Sequence, residues 1–190
     1  AEIAVKTSPK ITAKITDVVG IDHVNLYYKP QLERNYTKVD MTAETGSTST
    51  AGTYTASISA LDLPGVIEYY IEATDTSSNL RTSPINGSRQ PYVLSFVDYE
   101  APVISHTPIA DGQEAGNSVL IGATITDNVG VENVTFKYSP PGKTEFIEVK
   151  MTKVGDYYSA EIPGNVLMPG KVDYVITASD ASKQSPDAEV

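Results

Sequence analysis

The sequence predicts an all-β protein built as two antiparallel β-sandwich domains in tandem. Apolar and polar residues alternate with a period of two, as in residues 133–138, and no segment carries the sustained apolar stripe of a helix. Turn signals rich in Gly and Pro separate these runs at intervals of about 8–12 residues, which is typical of a sandwich. Most of the sequence also occurs twice: residues 15–30 read ITDVVGIDHVNLYYKP, and residues 125–140 read ITDNVGVENVTFKYSP.

The repeat defines the domain organisation. LPGVIEYYIEATD, at residues 63–75, returns as MPGKVDYVITASD, at residues 168–180. A repeat that spans this much chain is a whole domain and not a short solenoid motif, so we predict domains at residues 1–98 and 99–190. The joint at residues 98–101 is too short to let the domains tumble freely, and we therefore expect an elongated, semi-rigid pair.

The last strand of the second domain is expected to be truncated. The first domain continues beyond residue 75 into a final strand, PYVLSFVD, whereas little chain is left beyond residue 180 for its counterpart. We therefore expect the chain to be an excerpt from a longer array of such domains. The alternative is a short terminal strand at residues 188–190.

Strands are expected at residues 144–152, 157–162 and 172–179, between the turns PPG, VGD and MPG. The apolar phase of the alternation marks the side chains that face the core of each domain. The expected core positions are Ile15, Val24, Leu26, Tyr69, Ile71 and Ala73, and in the second domain Ile125, Val134, Phe136, Tyr174, Ile176 and Ala178.

Composition excludes several classes of function. The chain contains no cysteine, which rules out disulfides, thiolate metal sites and cysteine nucleophiles. The formal net charge is -10 and the 14 basic residues are scattered singly, so we expect no nucleic-acid partner. No apolar run is long enough to cross a bilayer, and we expect no membrane insertion.

Several segments carry a family resemblance. In order along the chain, APVISHTP, ATITDNVGV, KYSPPG, VKM, YYSAEIP and DYVITASD resemble the immunoglobulin-like or fibronectin-III-like repeats of secreted bacterial proteins. The resemblance implies two immunoglobulin-like β-sandwiches and an extracellular or cell-surface location. It also implies that the partners are neighbouring domains of the same longer chain, and we expect a monomer. The absence of cysteine fits a bacterial surface better than an animal one.

The resemblance fits three functions, because such modules accompany extracellular glycoside hydrolases, proteases and surface-anchored proteins. The first is a non-catalytic spacer or stalk within a larger extracellular protein. The second is an accessory module that binds a polysaccharide or cell-wall polymer. The third is an adhesin-type module that grips a protein partner through loops or edge strands. The sequence names no ligand and no parent protein for any of them.

Catalysis is not expected. The two histidines, His23 and His106, do not recur in the other domain, and nothing around them implies the orienting carboxylate and oxyanion hole of a serine triad. His106 is expected to be partly buried and to bond a neighbouring carbonyl group. We therefore predict that the chain is not an enzyme.

A calcium-binding site is the more specific functional hypothesis. The loops after the second and sixth strands of an immunoglobulin-like sandwich lie at the same end, where the chain also enters the domain. Calcium takes six to eight oxygen ligands, several of them from carboxylates. The alternative is that these aspartates only open turns by accepting bonds from nearby backbone amides. The candidate ligands are Asp98, Glu100, Asp127 and Asp180 at the joint, with Asp17 and Asp75 as a second set in the first domain.

A glycan site is the other hypothesis. Tyr27, Tyr70 and Tyr157 fall on the outward phase of their strands, where tyrosine rings can form a face for sugars. The alternative is that these rings only cover the strands through cross-strand pairs, and the chain contains no tryptophan. No cofactor other than calcium is indicated.

Overall fold

A computed structural model describes residues 1–182 and 188–190. The chain divides into two compact units, Ala1–Asp98 and Tyr99–Val190. Within the described residues, the helical segments are two 3-10 turns of three residues each, Gly87–Arg89 and Gly164–Val166. This confirms the all-β prediction. No helix in the described part of the chain is long and apolar enough to cross a membrane.

The first unit is a sandwich of two sheets. Its strands are β1 (Glu2–Ala4), β2 (Lys10–Thr16), β3 (Ile21–Pro30), β4 (Thr37–Asp40), β5 (Thr42–Ala43), β6 (Ala51–Ser57), β7 (Gly65–Asp75), β8 (Leu80–Ser83) and β9 (Tyr92–Val97). One sheet has the order β1-β9-β7-β3-β4, with β8 also paired to β7, and the other has the order β2-β6-β5. The pairs are antiparallel except for β1 with β9.

The second unit has the same plan with two differences. Its first strand joins the other sheet, and among the described residues the last strand of the first unit has no counterpart in it. Its strands are β10 (Val103–His106), β11 (Val119–Thr126), β12 (Val131–Ser139), β13 (Ile147–Lys150), β14 (Thr152–Val154), β15 (Tyr157–Ile162), β16 (Asp173–Asp180) and β17 (Ala188–Glu189). The sheets have the orders β10-β11-β15-β14 and β13-β12-β16-β17. β17 lies opposite Thr177 and Ala178 of β16, the place that β8 takes beside β7. Among the described residues, no strand takes the place of β9.

The single strand expected at residues 144–152 is wrong, because the chain changes sheets within it. β13 pairs with β12 in one sheet and β14 pairs with β15 in the other. Met151, which lies between them, is buried in the core. The first unit makes the same change at Met41, whose backbone N–H donates to the carbonyl of Val24. The buried methionine therefore marks the crossing in both units.

The core of each unit lies between its two sheets. Most expected positions are buried, but four are only partly buried: Ile15, Tyr69, Ala73 and Tyr174. The buried apolar residues of the first unit are Val5, Ile11, Val24, Leu26, Tyr28, Met41, Ile58, Ile67, Ile71, Leu94 and Phe96. Those of the second are Ile121, Ala123, Ile125, Val134, Phe136, Tyr138, Met151, Tyr158, Ala160, Ile162, Leu167, Ile176 and Ala178.

Candidate functional site

The carboxylate of Asp127 lies in the turn that joins β11 to β12. Its Oδ1 accepts hydrogen bonds from the backbone N–H groups of Val129 and Gly130, at 2.8 and 2.6 Å. Gly130 has a φ of 146°, which a residue with a Cβ rarely adopts, and the turn therefore requires glycine at this position. The second oxygen, Oδ2, is buried and has no hydrogen-bond partner among the described residues. The Asp127 side chain therefore shapes the turn with one oxygen and leaves the other for a further partner.

Asp180 and Asp98 are two buried carboxylates that lie close to Asp127. Asp180 ends β16 and is 6% exposed, and its Oδ1 accepts a bond of 2.7 Å from the N–H of Ser182. Asp98 follows β9 and directly precedes Tyr99, where the second unit begins, and it is 1% exposed. One carboxylate oxygen from each of the three aspartates lies within 4.8 Å of the other two.

This spacing suits a cation. Two unit charges at such a distance repel each other by about 3 kcal/mol at an effective dielectric constant of 20. Calcium holds its oxygen ligands at about 2.3–2.6 Å, so two ligands of one ion can lie up to about 5 Å apart. The three carboxylates satisfy that limit. The side-chain oxygen of Asn128, the next residue in the turn, is also buried.

Glu100 is not part of this group. Its side chain is exposed, and the three-carboxylate group contains only Asp98, Asp127 and Asp180. Three of the four residues predicted as calcium ligands at the joint therefore lie together, and the fourth does not.

The second predicted set, Asp17 and Asp75, has a different geometry. Asp17 Oδ1 accepts bonds from Val19 and Gly20, so its turn is the equivalent of the Asp127 turn. Asp75 uses both oxygens within its own turn: Oδ1 accepts from the N–H groups of Ser77 and Asn79, and Oδ2 accepts from the Asn79 side chain. Within residues 1–182 and 188–190, no group of three potential ligands includes either aspartate. The first unit thus uses these carboxylates as turn formers.

The Asn79 side chain also changes the acidity of Asp75. Its hydrogen bond to the carboxylate, together with the backbone N–H bonds of the turn, lowers the pKa of Asp75 below its ordinary value. The charged form is therefore the one that the turn favours.

The outward tyrosines of the first unit pack against one another. The rings of Tyr27 and Tyr70 are stacked, with centroids 4.8 Å apart and planes within 4° of parallel. Tyr36 meets Tyr70 edge-on at 5.1 Å, and the Tyr27 hydroxyl donates to Glu72 at 3.2 Å. Burial, and secondly the Glu72 carboxylate, raise the pKa of Tyr27 above its ordinary value. The facing sides of the two stacked rings are thus covered by each other.

Tyr157 belongs to the second unit and lies on the outer face of β15. A Cβ added at Gly122 would meet its hydroxyl, so the ring lies over the glycine of the neighbouring strand β11. The ring is about half exposed. This arrangement matches an aromatic side chain that covers a gap in a sheet.

His106 has the bond that the sequence predicted. Its Nδ1 lies 2.8 Å from the carbonyl oxygen of Gly122, and its Nε2 lies 2.8 Å from the hydroxyl of Tyr174. His23 is exposed and lies 2.9 Å from Asp22, its neighbour in the chain. Among the described residues, neither histidine lies in a hydrogen bond with a serine.

No family model and no curated protein matches the chain. Solved structures to which it is similar include the fibronectin(III)-like modules of CbhA from Clostridium thermocellum, at 15% identity over 100% of this chain and 86% of that one, with a TM-score of 0.36. A tetra-tandem repeat from the extending region of a large adhesion protein matches at 16% identity over 98% of this chain, with a TM-score of 0.42. This chain covers 45% of that structure.

An amphioxus IgVJ-C2 molecule also matches, at 11% identity over 100% of this chain and 98% of that one, with a TM-score of 0.44. With TM-scores below 0.5, these similarities carry no argument about activity or ligands. The strand orders of the two units support the type of fold on their own. Both units are β-sandwiches of the immunoglobulin-like and fibronectin-III-like type.

Proposed function

We propose that the chain is a non-catalytic structural module whose second unit is stabilised by a bound calcium ion. In this proposal it serves as a spacer within a larger extracellular or cell-surface bacterial protein, and its partners are the neighbouring domains of the same polypeptide. The observation that carries the proposal is the group of three carboxylates, Asp98, Asp127 and Asp180, in which one oxygen of each lies within 4.8 Å of one oxygen of the other two.

Burial makes this group costly without a counter-ion. Charged carboxylates taken out of water are retained only where they are paired, hydrogen-bonded or bound to metal. The buried Oδ2 of Asp127 has no hydrogen-bond partner among the described residues, and a cation beside it would supply that missing interaction. Because a folded carboxylate group binds the ion and the unfolded chain does not, binding adds directly to the stability of the fold.

The state of the histidines supports a non-catalytic role. Both ring nitrogens of His106 are engaged, one by Gly122 and the other by Tyr174, which leaves neither nitrogen for a substrate. A structural role for the ring accounts for both contacts.

Thermal unfolding with and without calcium tests the proposal. At a free calcium concentration about a hundredfold above Kd, the folded state gains about 2.7 kcal/mol over the chelated protein. We expect the transition of the second unit, which supplies Asp127 and Asp180, to move to higher temperature. Identical curves in calcium and in chelator would contradict the proposal and leave the aspartates as turn formers.

A further inference from the structure

Equivalent positions of the two units differ in how well the core is covered. Ile125 of β11 is 1% exposed, whereas Ile15, its counterpart in β2, is only partly buried. Ala123 is buried and its counterpart Ala13 is only partly buried. At these two positions of the repeat, the same residue types are therefore more exposed in the first unit than in the second.

The strand that covers Ile125 is β10. It pairs antiparallel with β11, with Ile104 opposite Ile125, and the Ile104 side chain packs against the core of the second unit. Among the described residues, β2 has no such neighbour and pairs only with β6. The strand that precedes β2 in the chain, β1, is paired with β9 in the other sheet.

The outer edge of β2 presents its backbone groups for pairing. The N–H of Asp17 donates to Thr50 and the N–H of Ile58 donates to Pro9, so the odd-numbered residues of this segment bond to β6. In an antiparallel ladder the intervening residues point their N–H and C=O groups the other way. Lys14 and Thr16 are such residues. Their counterparts in β11, Thr124 and Thr126, lie opposite Ser105 and Val103 of β10.

A groove of about 530 Å³ runs beside this edge. Its apolar lining includes Ile15, Ile71, Ala73 and the side chain of Leu80, which is 59% exposed. Lys14, Asp17, Asp75 and Arg81 supply polar groups of both signs around it. The groove therefore combines an open strand edge with an apolar floor.

We propose that the first unit binds an extended segment of a partner polypeptide in this groove, added antiparallel to the outer edge of β2. Backbone bonds to Lys14 and Thr16 supply the affinity, as in other cases of β-strand addition. The side chains of this segment follow the pattern of β10. One branched apolar side chain is directed onto Ile15 and Ile71, and the small or hydroxyl-bearing residues on either side of it are directed outward. A partner of this kind fits an adhesin-type interaction, and the inference is independent of the calcium site.

The peptide APVISHTP, which has the sequence of residues 101–108, is the probe. Added to the full chain, it should slow amide hydrogen exchange at Lys14 and Thr16 by at least about tenfold at saturation, because these N–H groups enter a strand ladder. Amide signals of the second unit should not change. A peptide with serine in place of its isoleucine should bind at least about tenfold more weakly, since the loss of about 1.4 kcal/mol of apolar contact corresponds to that factor.

Two substitutions in the protein separate binding from folding. Thr16→Pro removes an N–H that faces away from β6, and Leu80→Ser removes an exposed apolar side chain from the groove. Both should abolish peptide binding and leave the fold intact. Leu32→Ser, at a side chain that is 97% exposed and outside the groove, is the matched control and should bind as the unchanged protein does.

Three outcomes would overturn the inference. The first is no protection of Lys14 and Thr16 at millimolar peptide. The second is binding that Leu80→Ser and Thr16→Pro both leave unchanged. The third is a concentration-dependent dimer that protects the same two amides without peptide, because the occupant would then be a second copy of this chain.

Discussion

The hydroxyl of Tyr174 lies 2.8 Å from Nε2 of His106, and this contact joins the two sheets of the second unit. Because the carbonyl of Gly122 can only accept, Nδ1 carries the proton, and Nε2 of the neutral ring accepts from the Tyr174 O–H. His106 lies on β10 and Tyr174 on β16, so one imidazole connects strands of opposite sheets.

Replacement of His106 should weaken this connection. We expect His106→Ala to lower the free energy of unfolding of the second unit by about 1–2 kcal/mol, because two partly buried polar groups lose their partner. His23→Ala, at an exposed position, should change it by less than about 0.5 kcal/mol. Chemical denaturation followed by circular dichroism measures both. Equal effects would show that the His106 bonds contribute nothing to stability.

The two phenylalanines of the second unit, Phe136 and Phe146, should behave in opposite ways. Phe136 is fully buried between the sheets, and Phe146 is about half exposed. Phe136→Ala should cost about 3–5 kcal/mol, from lost burial and the cavity that remains. Phe146→Ala should stay within about 0.5 kcal/mol. Thermal unfolding of both variants measures this, and a similar cost for each would mean that the inward phase of β12 is wrong.

Much of the fold could be predicted from the repeat and the two-residue alternation. Both are local features: Val134 and Phe136 face inward because successive side chains of a strand point to opposite sides. The change of sheet at Met151 could not be predicted, because the alternation continues through it and only tertiary packing decides which sheet each half joins. The partial exposure of Ile15 could not be predicted either, since it depends on a neighbouring strand elsewhere in the chain.

The candidate site could also be predicted only in part from the sequence. Asp98, Asp127 and Asp180 follow from the rule that certain loops of a sandwich share one end. The rule does not give side-chain direction, and Glu100, which it places at the same end, is exposed and lies outside the group of three carboxylates. It also does not predict the turn around Asp75, in which the backbone N–H and the side chain of Asn79 donate hydrogen bonds to the two carboxylate oxygens.

The Asp75 turn should depend on pH in a defined direction. Because Asn79 lowers the pKa of Asp75 in the folded state, the charged carboxylate favours folding above its ordinary pKa, near 4, and this contribution is lost as the pH falls through the lowered value. We expect Asn79→Ala to raise the titration midpoint of Asp75 towards its ordinary value, as measured by carboxyl NMR. Asn117→Ala, in the other unit, is the control. An unchanged midpoint in Asn79→Ala would exclude this bond as the cause.

Soluble glycans should not bind. The facing sides of the Tyr27 and Tyr70 rings cover each other, and the Tyr157 ring lies over Gly122. Neither arrangement therefore leaves two uncovered ring faces against which a sugar could pack. Isothermal titration against fragments of starch, cellulose, chitin and peptidoglycan should give no saturable heat. Saturable binding that disappears in Tyr27→Ala or Tyr157→Ala would favour the accessory-module function over the spacer.

A matched pair of variants tests whether Asp98, Asp127 and Asp180 share a calcium ion. Asp127→Asn keeps an oxygen that can accept from Val129 and Gly130 but removes the charge, and Asp17→Asn does the same in the equivalent turn of the first unit. Calcium titration by calorimetry, with native mass spectrometry, should give one ion per chain for the unchanged protein and for Asp17→Asn. Asp127→Asn should bind at least about tenfold more weakly, a loss of about 1.4 kcal/mol. No bound calcium in the unchanged protein, or equal affinity in both variants, would show that the three aspartates do not share a calcium ion.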